Sequence, residues 1–280
     1  MLRPRDSHDL RLRAATLAVT PRPARTRWAH DVFGNSVCYW DWEPVPTVLL
    51  RIVSELHLDH YHTAVDLPLD PAAEHYPFSY ADEEAPDLAR FLDVSHPDPE
   101  VAAWALRFVH PNGATPTLDM LAAMTQAIRA GFIYQARHEK GTHPPGVTLR
   151  SGRGTCRDFA LLMMEAARTL GLAARFVSGY LYDDRRAGGD SVVGGGATHA
   201  WCSIYLPGAG WVEFDPTNGL VAGRNLIRVC SARTPAQAVP VSGGYAGSAG
   251  DFIGLEVSVE VLVGDQASDP ASRHGDALAG

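Results

Sequence analysis

Two strands and the turn between them limit this chain more than any other stretch. From Thr198 to Leu206, His199, Trp201, Ser203 and Tyr205 alternate with Ala200, Cys202, Ile204 and Leu206; Pro207-Gly208-Ala209-Gly210 then turns the chain, and Trp211 to Asp215 returns. Alternation of this kind predicts antiparallel strands with one face each way. Side chains share a face only in the right register. With a four-residue loop, Leu206 faces Trp211 and Asp215 opposes Cys202, pointing away from His199. With a three-residue loop, Gly210 faces Leu206 and Asp215 falls opposite Trp201, diagonal to His199. Glycine suits the left-handed position that a three-residue hairpin requires.

Upstream, Gly152 and Gly154 break the chain and Thr155-Cys156-Arg157-Asp158 follows. Thr155 with an acid three residues later is a capping box, so Cys156 is predicted as the first helical residue. Phe159, Leu162, Met163, Ala166 and Leu170 continue at helical spacing, and Gly171 stops the helix. Free N–H groups and the helix dipole favour a thiolate at such a position, and the same N–H groups can face a carbonyl oxyanion. Cys156, His199 and Asp215 thus offer a nucleophile, a base and an orienter. Each has an ordinary alternative: a small buried cysteine, a half-buried strand histidine and a strand-ending aspartate.

Four ordered motifs sharpen the choice. Gly154 to Ala160, Ala174-Arg175-Phe176-Val177-Ser178-Gly179-Tyr180, His199-Ala200-Trp201 and Phe214-Asp215-Pro216-Thr217-Asn218 resemble the bacterial branch of the transglutaminase-like superfamily of papain-like cysteine enzymes. Asp31-Val32-Phe33-Gly34-Asn35 resembles a motif of the β-rich N-terminal region in that branch, whose members usually begin with a further strand. The resemblance implies an α+β papain-like core, with a nucleophile helix packed on an antiparallel sheet, behind a β-rich N-terminal domain. It also implies Cys156 as nucleophile, His199 as general base and Asp215 as its orienter. Thr155 and Arg157 replace the usual valine and glutamine beside the nucleophile, which bears on substrate preference. The implied activity is thiol-dependent acyl transfer on peptide or side-chain amides, read as hydrolysis, with amine transfer and a non-catalytic binding module as alternatives. No cofactor or metal is expected.

The remaining sequence fits this reading. Residues 1–95 read as a β-rich N-terminal region (strands Leu10 to Val19, Ser36 to Trp42 and Val48 to Leu58), 96–225 as the core, 226–264 as C-terminal strands and 265–280 as a disordered tail. Within the core, one helix carries Val101, Trp104, Ala105 and Phe108, and a second starts at Thr115-Pro116. A strand runs from Arg175 to Tyr182, and Leu255, Val257, Val259, Val261 and Val263 alternate as a late half-buried strand. A net charge of −8 leaves no electrostatic footprint for nucleic acid. Seven arginines in the first 27 residues read as a solvated β edge. Four scattered cysteines, no signal-like start and no apolar run of spanning length point to reduced thiols, no membrane partner and a cytoplasmic protein. The expected partner is a peptide or protein substrate, and an unpaired N-terminal β edge invites a homodimer. His57, Asp59, His60 and His62 divide between two strand faces and converge on no metal site. The glycine-rich stretch 183–196 is either a lid over the thiol or a plain connection.

Overall fold

The computed structural model describes residues 1–61, 67–136, 141–182, 197–223 and 225–262. In chain order its elements are β1 (Leu10–Thr20), β2 (Arg25–His30), β3 (Ser36–Asp41), β4 (Arg51–His60), β5 (His75–Tyr76), α1 (Ala85–Leu92), α2 (Pro99–Leu106), β6 (Thr115–Pro116), α3 (Thr117–Gly131), β7 (Ile133–Tyr134), α4 (Pro145–Ser151), β8 (Arg153–Gly154), α5 (Cys156–Thr169), β9 (Ala174–Leu181), β10 (His199–Leu206), β11 (Gly210–Asp215), β12 (Leu220–Val221) and β13 (Leu226–Ala232). The architecture is α+β: α5 lies across an antiparallel sheet of order β12-β11-β10-β9-β13.

Strand alternation divides that sheet into two unlike faces. Ala200, Cys202, Ile204 and Leu206 turn toward α5 and join Phe176, Val212, Phe214 and the apolar residues of α5 in the main core. The opposite face carries His199 and Asp215, with Trp201 packed beside Val177, Leu181 and Leu226 in a second cluster. Gly179, opposite His199 in the β9–β10 ladder, has no room for a side chain: a Cβ there would come within 2.1 Å of the Ile227 carbonyl oxygen and 2.8 Å of the Trp201 ring.

Because α5 is enclosed nearly all round, its polar residues must be paired inside. Arg168 and Glu165, one turn apart and fully buried, form an ion pair at 2.7 Å. Arg168 also donates to the carbonyls of Phe91 at 3.0 Å, Ala174 at 2.8 Å and Arg233 at 2.8 Å, and Glu165 accepts the His96 N–H at 2.7 Å. One guanidinium therefore ties the helix to α1, to the start of β9 and to the chain just past β13.

The N-terminal region consists of two-stranded ladders, β1 with β4 and β2 with β3. It is fastened to the core at the turn after β2. Asp31 accepts the N–H groups of Phe33 at 2.9 Å and Asn35 at 2.8 Å, which shapes the turn. Asn35 then donates to the Ser231 carbonyl at 2.8 Å and accepts the Ser231 N–H at 3.0 Å, in effect adding a short strand to β13.

Three expectations differ from what forms. The second core helix starts at Thr117 rather than Thr115, because Thr115 and Pro116 pair with Tyr76 and His75, and the Thr115 hydroxyl is used by the His110 N–H at 2.8 Å. The first ends at Leu106, with Phe108 beyond its end packed edge-on to Trp104. The late strand does not form over its described residues: Leu255 is 76% exposed and the stretch joins no ladder. Alternation supplies an apolar face, but a strand also needs a neighbour for its backbone groups. Val263, residues 183–196 and the tail lie outside the described residues. Among the described residues no helix is long and apolar enough to cross a membrane.

Arg168→Met removes one partner of a buried pair and strands Glu165. Unfolding in urea is expected to show a loss of about 3–5 kcal/mol.

Candidate active site

Cys156 is the first residue of α5, as the cap predicts. The capping box has an altered form: Asp158 accepts the Thr155 N–H at 2.8 Å, while the Thr155 hydroxyl donates to the same carboxylate at 2.9 Å. Asp158 also accepts the His143 N–H at 2.7 Å, fixing the chain before α4 to the start of α5. The Asp158 N–H turns back to the Thr155 carbonyl at 3.0 Å, and the Cys156 N–H, ahead of the first intrahelical bond, can face an oxyanion at the thiol. Arg157 is turned away from this site. Its guanidinium donates to the Pro235 carbonyl at 2.7 Å and stacks on Phe176 at 4.9 Å, so it anchors the helix to the segment after β13.

The hairpin takes the three-residue register. Leu206 pairs with Gly210, and the ladder continues to Cys202 opposite Phe214, which brings Asp215 onto the His199 face. Gly208 and Gly210 both have positive φ, at 86° and 73°. His199 Nε2 donates to Asp215 Oδ2 at 2.8 Å, with both side chains fully buried. The imidazole stacks on Trp201 with ring centroids 5.9 Å apart. His199 Nδ1 makes no well-formed hydrogen bond within the protein, yet Cys156 is close enough to act on the ring. Burial disfavours the imidazolium, but the Asp215 carboxylate and the Cys156 sulfur outweigh it and push the His199 pKa up to about 10.

Asp215 is held from three more directions. The Thr217 N–H donates to Oδ1 at 2.9 Å, the Asn218 N–H to Oδ1 at 3.4 Å and the Asn218 amide to Oδ2 at 2.8 Å. Burial alone would raise its pKa; the His199 charge and these donors bring it below the usual carboxylate range. Asn218 and Thr217 are contributors that the sequence reading missed as site residues, although an aspartate whose side chain accepts the N–H two residues on is a recognisable turn signature.

Tyr134 was also missed. It pairs with Gly154 in the parallel β7–β8 ladder, and the Cβ direction of Gly154 faces Asp158 and Phe159. Paired residues share a face, and Phe132, on that same face, packs edge-on to Phe159 at 5.8 Å. Tyr134 therefore stands next along, at the Cys156 end. Burial and then the nearby charges of Cys156 and Asp158 raise its pKa, so it keeps its proton.

The other thiols are unsuited to compete. Burial raises the pKa of Cys202, whose Sγ faces the Phe214 carbonyl at 3.6 Å; that of Cys230, to about 11; and that of Cys38. Of the strand histidine cluster, Asp59 is occupied by Arg13 at 2.6 Å, and His62 lies outside the described residues. Among the described residues no three His, Cys, Asp or Glu are grouped to hold a metal.

Comparison with known proteins bears on the family and the fold. The sequence model of the transglutaminase-like superfamily core matches residues 106–216, and that of the bacterial transglutaminase-like N-terminal region matches residues 1–59, together more than half of the chain. The chain belongs to the transglutaminase-like superfamily. An uncharacterized protein of Mycobacterium tuberculosis is 29% identical over 273 residues, covering 94% of this chain and 86% of that one. Another, from Mycobacterium leprae, is 36% identical over 173 residues, covering 55% of this chain and 59% of that one. The crystal structure of a candidate cysteine protease from Cytophaga hutchinsonii superposes with a TM-score of 0.61 at 19% identity, over 85% of this chain and 76% of that one, and so shares the fold. Within this superfamily member the motifs around Cys156, His199 and Asp215 all fall inside or at the edge of the matched core.

Two measurements test the site. Brief iodoacetamide treatment below pH 8, followed by peptide mapping, is expected to label Cys156 ahead of Cys38, Cys202 and Cys230; equal labelling contradicts the assignment. Because a raised histidine pKa favours the native state below its unfolded value of ~6.5 and loses that contribution as pH rises through about 10, Asp215→Asn should flatten the alkaline decline in stability. An NMR titration of the variant should find the His199 pKa fallen toward the ordinary imidazole range.

Proposed function

We propose that this superfamily member is a thiol-dependent acyl-transfer enzyme that hydrolyses peptide or side-chain amide bonds through Cys156, His199 and Asp215. The observation that carries the reading is the buried 2.8 Å bond from His199 Nε2 to Asp215, which leaves Nδ1 for the thiol at the start of α5. Asp215 fixes the tautomer and stabilises the imidazolium. The Cys156 thiol gives its proton to His199 Nδ1, the sulfur attacks the carbonyl carbon to form a C–S bond as the C=O π electrons move onto oxygen, and the oxyanion accepts hydrogen bonds from the Cys156 N–H and the Tyr134 hydroxyl. His199 passes the proton from Nδ1 to the leaving amine as the C–N bond breaks. A water molecule, deprotonated by the same nitrogen, then attacks the thioester carbonyl; the C–S bond breaks, the acid leaves, and the proton on Nδ1 returns to the Cys156 sulfur.

Hydrolysis is favoured over amine transfer by the acidic groups near the site. Holding a lysine ammonium requires an available carboxylate and exclusion of water. Among the described residues Glu213 pairs with Arg228 at 2.8 Å, and Asp158 and Asp215 are taken up by the donors described above; Asp183 and Asp184 lie outside the described residues. A non-catalytic binding role is disfavoured because every member of the constellation is retained, in bonded or adjacent positions.

In a peptide-library assay read by mass spectrometry, Cys156→Ala is expected to abolish turnover, and Asp215→Asn to reduce it by about a thousandfold or more. Tyr134→Phe should cost about 10²–10³ in kcat if its hydroxyl meets the oxyanion. With a millimolar lysine-like amine present, the acid should remain the main product. A Cys156→Ala protein with wild-type turnover would refute the mechanism, and predominance of the amide product would favour crosslinking.

A further inference from the structure

Two motifs singled out in the sequence have no part in the triad: the Asp31-Val32-Phe33-Gly34-Asn35 turn and Arg175. They meet at one cavity. Its volume is about 190 Å³, and it is lined by Val32, Phe33, Phe91, Arg175, Trp211, Ser231 and Ala232. The walls come from the N-terminal turn, the end of α1 and the rim of the core sheet. Phe91 packs edge-on to Trp211 at 5.1 Å and lies 6.4 Å from Phe33, so much of the lining is aromatic.

Arg175 is the exception in that lining. Its guanidinium lies over the Trp211 ring at 4.3 Å, and its buried Nε has no hydrogen-bond partner. Among the described residues Arg175 forms no ion pair, in contrast to Arg168 and Arg228. The acids within reach are already used: Glu213 accepts from Arg228 at 2.8 Å, and Asp9 accepts from the same guanidinium at 3.3 Å. Burial and then the like charge of Arg228 lower the Arg175 pKa to about 10, so its charge is poorly compensated where it stands. A buried guanidinium N–H left without an acceptor is costly, and a fork with no ion-pair partner is suited to a planar two-oxygen acceptor. Ser231 pairs with Val177 in the β9–β13 ladder and so shares the Arg175 face, where its hydroxyl can serve as a further donor.

We propose that this cavity is a binding site for a small organic carboxylate, whose oxygens pair with Arg175 and whose apolar end packs against Phe33, Phe91 and Trp211. The site is separate from the triad. Arg175 lies four residues along β9 from Gly179, the residue facing His199, or about 13 Å at ~3.3 Å per residue. Fully buried Trp201 and Val177 fill the intervening face. Because one wall is the Asn35 turn, a bound carboxylate would also strengthen the seating of the N-terminal region on the core. The carboxylate can come from a free metabolite-sized acid or from the end of a peptide.

The test uses the full chain, labelled with ¹⁵N, and the Arg Nε–H resonances. Sodium propionate is titrated against propionamide and sodium chloride at matched ionic strength, with an acetylated dipeptide acid in a parallel arm. The Arg175 signal, identified by its loss in Arg175→Gln or in Arg175→Lys, is expected to shift saturably with propionate at millimolar midpoint and not with propionamide or chloride. Arg175→Gln should weaken propionate binding at least about tenfold, measured by calorimetry, and Cys156 alkylation should proceed as in the wild type. Saturation by the dipeptide acid with a lower midpoint identifies a peptide end as the source; propionate alone identifies a free acid. A wild-type Arg175 signal that moves equally with chloride, or with propionamide, overturns the proposal, as does undiminished propionate binding in Arg175→Gln.

Discussion

The pairing of Leu206 with Gly210 decides whether Asp215 can meet His199. A strand pair has only two face relationships, and one residue more in the loop would carry Asp215 to the side facing α5. There it would enter an apolar core with no donor to meet it. In the observed register its carboxylate instead meets an imidazole, two backbone N–H groups and an amide. The two left-handed glycines of the turn set this choice, and the rest of the site follows from it: which His199 nitrogen is bonded, which is left for the thiol, and how strongly the ring holds its proton.

Burying a carboxylate and an imidazole together is expensive, and the pair alone does not explain how the cost is met. The answer lies in the number of neutral donors aimed at Asp215. Thr217 and Asn218 compensate the carboxylate from its other lone pairs, so the full charge remains available to the histidine. A similar strategy recurs at the far end of α5, where Arg168 satisfies several carbonyls besides Glu165. The helix that carries Cys156 is thus fixed at both ends by buried charges, Asp158 at the first turn and Arg168 at the last. Apolar packing against the sheet fixes its position between them.

Local grammar revealed the parts of the site that are written in consecutive residues. Thr155 and Asp158 announced the start of α5, and alternation gave the hairpin and narrowed its register to two, between which Gly210 only inclined the choice. Asn218 and Tyr134 were harder to read. Asn218 acts through a turn that folds back on Asp215, and Tyr134 comes within electrostatic range of Cys156 only because β7 runs parallel to β8 some twenty residues on. The late strand failed in the opposite direction. Its alternation from Leu255 was clear, but pairing is a property of two segments, and no described segment lies alongside it.

The hairpin turn has one further property. A Cβ on Gly208 would approach within 2.4 Å of the Asp70 backbone nitrogen, and that same N–H donates to the Pro207 carbonyl at 2.8 Å. The turn is therefore walled in by a segment from far upstream, and it has no space to grow. Surface hairpins normally absorb insertions freely as proteins diverge. This one is crowded against the 68–70 backbone, so an added residue in the turn would have to displace that segment, and the spacing from His199 to Asp215 is guarded by sterics as well as by pairing.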